Sequence, residues 1–356
     1  FWPVCLGLCL AALLALPAWA ESSLGQANIT PATTMKEIRA NPSIQGSGLY
    51  TYVHTWERDC EKLQHNHDDE TLEEVVGSAS APSCAAGLNC LVENYNAGIR
   101  VTYKLYTPEE IAAKPSRDHA EMYYFPAEQP GAKYAVVLSG NALVYSGELR
   151  GGVSTAWELH EQGYAVFALR YRIGKEAGED APLDDLGRAI QFITAHAADF
   201  GVQTEGYALL GYSSGGQIAG VFGSAEKGWQ KYGVPKPGAL LLAYPINDFT
   251  IAKPIYCALM DVDDWMQEHY YDYALSNLIA PGYPPVFLWY GKSDRTLKLF
   301  GFEQQGPALQ KALEADSIPY EEKVYEKAGH GIGIGLGTEA EGWLAEAGKF
   351  WRQVTS

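Results

Sequence analysis

Beyond about residue 99 the chain settles into a repeating pattern of short runs that are apolar at nearly every position, separated by longer stretches with helical spacing. The apolar runs are residues 134–138, 165–169, 207–210, 239–243 and 286–290. Runs of that length without polar alternation are strands buried on both faces, which predicts a mainly parallel central sheet covered by helices on either side. Helix-like stretches at 183–200 and 307–315 fall between them. Residues 100–106 and 120–125 instead alternate, as half-exposed strands at an antiparallel edge do. The expected fold class is therefore α/β. In such sheets functional groups collect at the carboxyl ends of strands. Ser213, Asp294 and the turn after Leu138 all fall there.

Two segments break the rhythm. Residues 21–98 have no sustained period and are punctuated by Gly, Ser and Asn; they read as an N-terminal extension with short helices, packed on or beside a main domain at 99–356. Residues 249–280 are rich in aromatic and acidic side chains, among them Tyr256, Asp261, Asp263, Asp264, Trp265, His269 and Tyr270. An insertion between two late strands would sit above the carboxyl edge as a cap. Its aromatics serve either packing or substrate stacking.

The first 20 residues form an apolar stretch ending in Ala18-Trp19-Ala20, which reads as a secretory signal peptide cleaved after Ala20. It has neither a basic n-region nor an initiator methionine, so its start reads as truncated. No later segment approaches membrane-spanning length, so the mature form is expected off the membrane. The net charge of −17, without clustered Lys or Arg, excludes a phosphate-binding surface and with it nucleic-acid partners. An exported context permits disulfides among Cys60, Cys84, Cys90 and Cys257. Cys84 and Cys90, read as lying in a loop, are the nearest pair; free buried thiols are the alternative. His65 and His67, beside Asp68, Asp69 and Glu70, could ligate a metal, but on a polar loop they read as solvent-facing, and no metal or organic cofactor is expected.

The chemistry is carried by Gly211-Tyr212-Ser213-Ser214-Gly215, a G-x-S-x-G sequence between an apolar run and a small-residue helix. A strand, a sharp turn and a helix would lift the Ser213 hydroxyl into the open, and the turn needs glycine on either flank. A serine hydroxyl needs a base to take its proton, and the base needs an acid to fix its tautomer. On this topology the order is Ser, then Asp or Glu, then His. Only His269 and His330 follow Ser213, and only His330, in the glycine-flanked loop 328–333, lies beyond the last apolar run. Asp294, just after the run at 286–290, is the best-placed acid; Asp261, Asp263, Asp264 and Glu303 compete less well. Donors for a developing oxyanion would be the backbone N–H of Ser214 and amides of the turn Ser139-Gly140-Asn141-Ala142.

At this point the chain resembles the alpha/beta-hydrolase superfamily, and within it the secreted esterases similar to acetyl xylan esterases and hormone-sensitive-lipase-like enzymes. The resemblance covers residues 99–356. It rests on the motif around Ser213, on Pro182-Leu183-Asp184-Asp185, on Gly163-Tyr164 leading to Leu169-Arg170-Tyr171-Arg172, on Gly291 to Asp294 and on Gly329-His330-Gly331. It implies a Ser213, Asp294, His330 triad and hydrolysis of a short-acyl or carbohydrate ester through an acyl-enzyme. Where the family runs His-Gly-Gly-Gly after its third strand, this chain has Ser139-Gly140-Asn141-Ala142, and Ser214 replaces a frequent alanine. Arg170, Arg172, Asp184 and Asp185 match positions that look structural. Two rivals share the residues: a serine peptidase of prolyl-oligopeptidase type, and an inactive extracellular hydrolase fold that binds a glycan.

Overall fold

The computed structural model describes residues 24–52, 67–140, 147–177, 180–248, 274–299 and 305–356. Eight strands form one sheet: β1 (Thr102–Lys104), β2 (Glu121–Phe125), β3 (Tyr134–Leu138), β4 (Ala165–Arg170), β5 (Ala208–Tyr212), β6 (Ala239–Ala243), β7 (Val286–Gly291) and β8 (Tyr320–Tyr325). Their order is β1-β2-β4-β3-β5-β6-β7-β8. Only the β1·β2 and β2·β4 pairs are antiparallel. This is the α/β-hydrolase arrangement, with β5 at the centre.

The apolar runs are buried on both faces because the two-residue period divides their side chains between two cores. Along β3, Tyr134, Val136 and Leu138 face one core with helices Ala181–Ala195, Ser213–Gly223 and Gln305–Ala315. Ala135 and Val137 face the other, with helices Ser154–His160 and Trp343–Val354. The second core also takes Ile29, Met35, Ile38, Leu72 and Leu88 from the N-terminal segment. Its short helices begin with capping boxes at Thr34/Glu37 and Thr71/Glu74, which satisfy the free N–H groups that such brief helices cannot.

Three expectations are corrected, and one strand, β8, was not foreseen. Residues 83–90 are not a loop but part of helix Ala81–Asn96, in which Cys84 and Cys90 are free and buried. Six helical residues rise ~9 Å, beyond the ~7 Å a disulfide can span between Cα atoms. β2 is buried at every position rather than half-exposed, because β1 flanks it and both faces are covered. β8, with Glu321, Glu322 and Lys323 at its middle, is a sheet-edge strand whose half-exposed charges hide it from a search for apolar runs. The helical stretch at 183–200 is two helices, Ala181–Ala195 and Ala197–Phe200, divided at His196.

Candidate active site

β5 ends at Tyr212 and helix Ser213–Gly223 begins at the next residue, so the chain reverses at Ser213, which takes φ +51°. A non-glycine residue there is strained, and the surroundings hold it. A Cβ on Gly211 would lie 2.4 Å from the Gly215 carbonyl oxygen, and one on Gly215 would lie 2.5 Å from the carbonyl oxygens of both Leu138 and Ser139. The flanking glycines are thus imposed by backbone approach, within the elbow and between the elbow and the end of β3. The Ser213 carbonyl accepts the N–H of Ile246 at 3.1 Å, tying the turn to the segment after β6.

His330 arrives from the loop after β8. Its Nε2 lies 2.8 Å from Ser213 Oγ, and its Nδ1 lies 2.7 Å from Asp294 Oδ2. Asp294 is 1% exposed, and its Oδ1 accepts the Leu297 N–H at 2.9 Å. One carboxylate oxygen therefore caps the start of helix Arg295–Leu299 while the other meets the imidazole. Gly291 lets the acid and the histidine loop close on each other: a Cβ there would sit 2.0 Å from the Ala328 carbonyl oxygen.

The amides expected to face an oxyanion are divided by the limits of the structure. Ser214, fully buried, follows the elbow, and its N–H belongs to the first turn of helix Ser213–Gly223. Gly140 lies against the elbow, where a Cβ would come within 2.8 Å of the Tyr212 carbonyl oxygen and 2.9 Å of Ser213 Cβ. Asn141 and Ala142 lie outside the described residues. So do residues 1–20, Cys60, His65, Cys257, His269, Glu303 and residues 249–273 of the cap segment. His67 pairs with Glu70 at 2.8 Å, and among the described residues no group of His, Cys, Asp and Glu is arranged to hold a metal.

Three residues have parts in the site that the sequence did not assign to them. Tyr171 donates its hydroxyl to the Ser139 carbonyl at 2.5 Å, fixing the turn after β3 from β4's side. Tyr244, just past β6, lays its ring 4.8 Å from the imidazole of His330 and accepts the Gly333 N–H at 3.0 Å. Burial pushes its phenol well above the ordinary range, the Gly333 bond works the other way, and the nearby Asp294 charge adds to the rise. Gly291 is the third. Tyr-Pro at the end of an apolar run, and a glycine ending another, were the available signals.

Around the site, buried ion pairs fix the strand ends. Arg172 donates to Asp185 from its backbone N–H at 2.9 Å and from its guanidinium at 2.7 Å, holding the chain after β4 to helix Ala181–Ala195. Arg170 pairs with Glu121 at 3.2 Å across β4 and β2. Both pairs are buried, but Glu121 also meets Lys104 at 2.9 Å, so it is at Arg172–Asp185 that loss of one partner would strand a charge, at a cost of ~3–5 kcal/mol.

Residues 122–233 match the model of the family described as BD-FAE. The chain is 23% identical over 226 residues to endo-1,4-beta-xylanase B of Butyrivibrio fibrisolvens, covering 60% of this chain and 33% of that one. It is 22% identical over 211 residues to the ethyl acetate hydrolase of Pseudomonas putida, covering 59% of each. The chain thus spans between a third and three-fifths of these relatives. Among solved structures, it superposes on an acetyl ester-xyloside bifunctional hydrolase from Caldicellulosiruptor lactoaceticus with a TM-score of 0.59 at 18% identity, covering 71% of this chain and 96% of that one. A carboxylesterase from Lactobacillus plantarum gives 0.57 at 19% identity, covering 67% and 94%. Sheet order and superposition agree that the chain has the alpha/beta-hydrolase fold, and its segment 122–233 is similar to the BD-FAE family.

Proposed function

We propose that the protein is an exported serine esterase that removes short acyl groups from small alcohols or carbohydrates, with Ser213, His330 and Asp294 as its catalytic triad. The observation that carries this reading is the unbroken hydrogen-bonded line from Asp294 Oδ2 through both ring nitrogens of His330 to Ser213 Oγ, at 2.7 and 2.8 Å. Ser213 Oγ attacks the ester carbonyl while His330 Nε2 takes its proton; Asp294 holds the Nδ1–H tautomer and stabilises the imidazolium. The tetrahedral oxyanion accepts the N–H of Ser214 and amides of the turn at 140–142. As the carbon–oxygen bond to the alcohol breaks, His330 returns the proton to the leaving oxygen. Water then attacks the acyl-enzyme by the same relay, releasing the acid and restoring Ser213.

The acyl and alcohol preference draws support from the relatives, two of which are an ethyl acetate hydrolase and an acetyl ester-xyloside hydrolase. Residues 1–20 supply the export signal in this reading. The test is labelling by a fluorophosphonate together with turnover of p-nitrophenyl acetate and of aminoacyl p-nitroanilides. Ester but not anilide cleavage is expected, with labelling lost in Ser213→Ala. Undiminished labelling of Ser213→Ala would refute the assignment, and faster anilide cleavage would make the protein a peptidase.

A further inference from the structure

We infer that Tyr244 is a positioning residue that holds the histidine loop in register with Ser213, an inference that rests on the triad proposed above. Four non-glycine residues among those described have positive φ: Asp180, Ser213, Tyr244 and Ser317. Tyr244, at φ +36° and 2% exposed, is the aromatic one, and a bulky residue in that conformation is a true outlier. Backbone strain of this kind persists where neighbours over-determine it and gathers at functional sites. Here the neighbours are visible. The Tyr244 N–H donates to the Trp289 carbonyl at 2.6 Å, and its ring meets the Trp289 indole edge to face at 4.8 Å.

What this conformation achieves is contact with the loop that carries His330. Gly331, Gly333, Gly335 and Gly337 have φ of 73°, 57°, 74° and 73°. A segment with glycine at every second position has few side chains of its own and much backbone freedom to lose, so its order must come from outside. The Gly333 peptide is gripped from two sides: Tyr244 Oη accepts its N–H at 3.0 Å, and Trp343 Nε1–H donates to its carbonyl at 3.1 Å. The Tyr244 ring also packs on the imidazole itself. Tyr244 touches neither substrate nor the transferred proton; it sets where His330 Nε2 points.

Tyr244→Phe keeps the ring and removes the acceptor. Turnover per active site, counted by burst titration, should fall about tenfold, with KM within twofold of wild type, because only the aim of the base changes. The proton between His330 Nδ1 and Asp294, seen far downfield by NMR, should shift or broaden. Tyr207→Phe is the control: its buried ring likewise loses a hydroxyl bond, to the Pro235 carbonyl, away from the loop. It should lower the melting temperature while leaving turnover and the downfield proton unchanged. Trp343→Phe removes the other grip and should resemble Tyr244→Phe. Wild-type turnover and an unmoved resonance in Tyr244→Phe, or in Trp343→Phe should the first variant not fold, would overturn the inference. Wild-type turnover in Ser213→Ala or His330→Ala would instead overturn the triad, and this inference with it.

Discussion

Replacing Gly291 by alanine should uncouple the acid from the base without unfolding the protein. The new Cβ would stand 2.0 Å from the Ala328 carbonyl oxygen and 2.7 Å from its carbon, both backbone atoms that no side-chain rotation can move aside. Reaching even 3.0 Å requires the end of β7 and the start of the histidine loop to part by about 1 Å. Asp294 lies three residues beyond Gly291, and His330 two beyond Ala328, so the opening falls across their 2.7 Å contact. Misplacement by about 1 Å costs on the order of 10²-fold in turnover, while overpacking of a sound core costs ~1–3 kcal/mol. The expected outcome is a folded protein with a slightly lower melting temperature, p-nitrophenyl acetate turnover reduced about 100-fold, and fluorophosphonate labelling slowed in parallel. Gly152→Ala is the comparison, because its Cβ would meet nothing closer than the Ala168 Cβ at 3.5 Å. Labelling of Gly291→Ala at the wild-type rate, with an unchanged melting temperature, would refute the reasoning.

Asp294→Asn should keep the Leu297 cap through its amide oxygen while offering N–H to His330 Nδ1, favouring the wrong tautomer; a fall of ~10⁴ in kcat with little change in melting is expected. Less than a tenfold loss would move the acid's role elsewhere. Thr71→Ala removes a capping box at the start of helix Leu72–Val76 and should cost ~1 kcal/mol in denaturant unfolding near neutral pH. The Thr71 N–H, and then its hydroxyl, hold the Glu74 carboxyl below its ordinary 4.5; alanine keeps the N–H bond and loses the hydroxyl's, so only the hydroxyl-to-carboxylate share of the box, present above pH 4.5, is lost as pH falls through the lower folded value. The gap between wild type and Thr71→Ala should therefore narrow in acid; a gap that widens there would contradict it. Burial raises the Cys84 thiol far above its ordinary value; burial, and then Glu93, push Cys90 up to about 11. In the native protein an alkylating reagent should spare both, and in denaturant it should label both without a reductant; a requirement for reductant would mean that they are bridged.

What the sequence disclosed and what it withheld divide along a physical line. That Ser213, Asp294 and His330 would meet was legible because the proposed chemistry resides in side-chain type and their order follows from a parallel sheet. The five central strands were legible because burial on both faces writes itself as unbroken apolar runs. Gly291 and Gly140 were named there, but not their task of having no Cβ where two distant backbones meet, a fact that exists only after folding. Tyr244 hid for a similar reason: a tyrosine after a strand reads as core until its φ and its bond to Gly333, 89 residues away, are seen. Helix Ala81–Asn96 was obscured by its Gly87 and Asn89, and Gly87 has its own explanation. A Cβ there would lie 2.8 Å from Val153 and 3.3 Å from the Trp157 side chain, so the glycine is what allows two helices to touch.

That helix contact bears on what the N-terminal segment is for. Arg150, shortly after the turn that follows β3, donates to the carbonyls of Val76 at 2.9 Å and Val75 at 3.1 Å. Ser80, at the start of helix Ala81–Asn96, places its Oγ 3.1 Å from where a Gly333 Cβ would stand. Residues 75–80 therefore touch both the helical turn Glu148–Val153, which leads into helix Ser154–His160, and the loop carrying His330. Residues 24–52 and 67–98 share one core with the sheet, with Met35, Ile38, Leu72, Leu88 and Leu91 in the same buried cluster as Tyr123, Phe125 and Val166. The described part of this segment thus shares the core of the sheet and abuts the histidine loop. Its removal should expose one face of the sheet and release the loops whose positions the proposed relay requires.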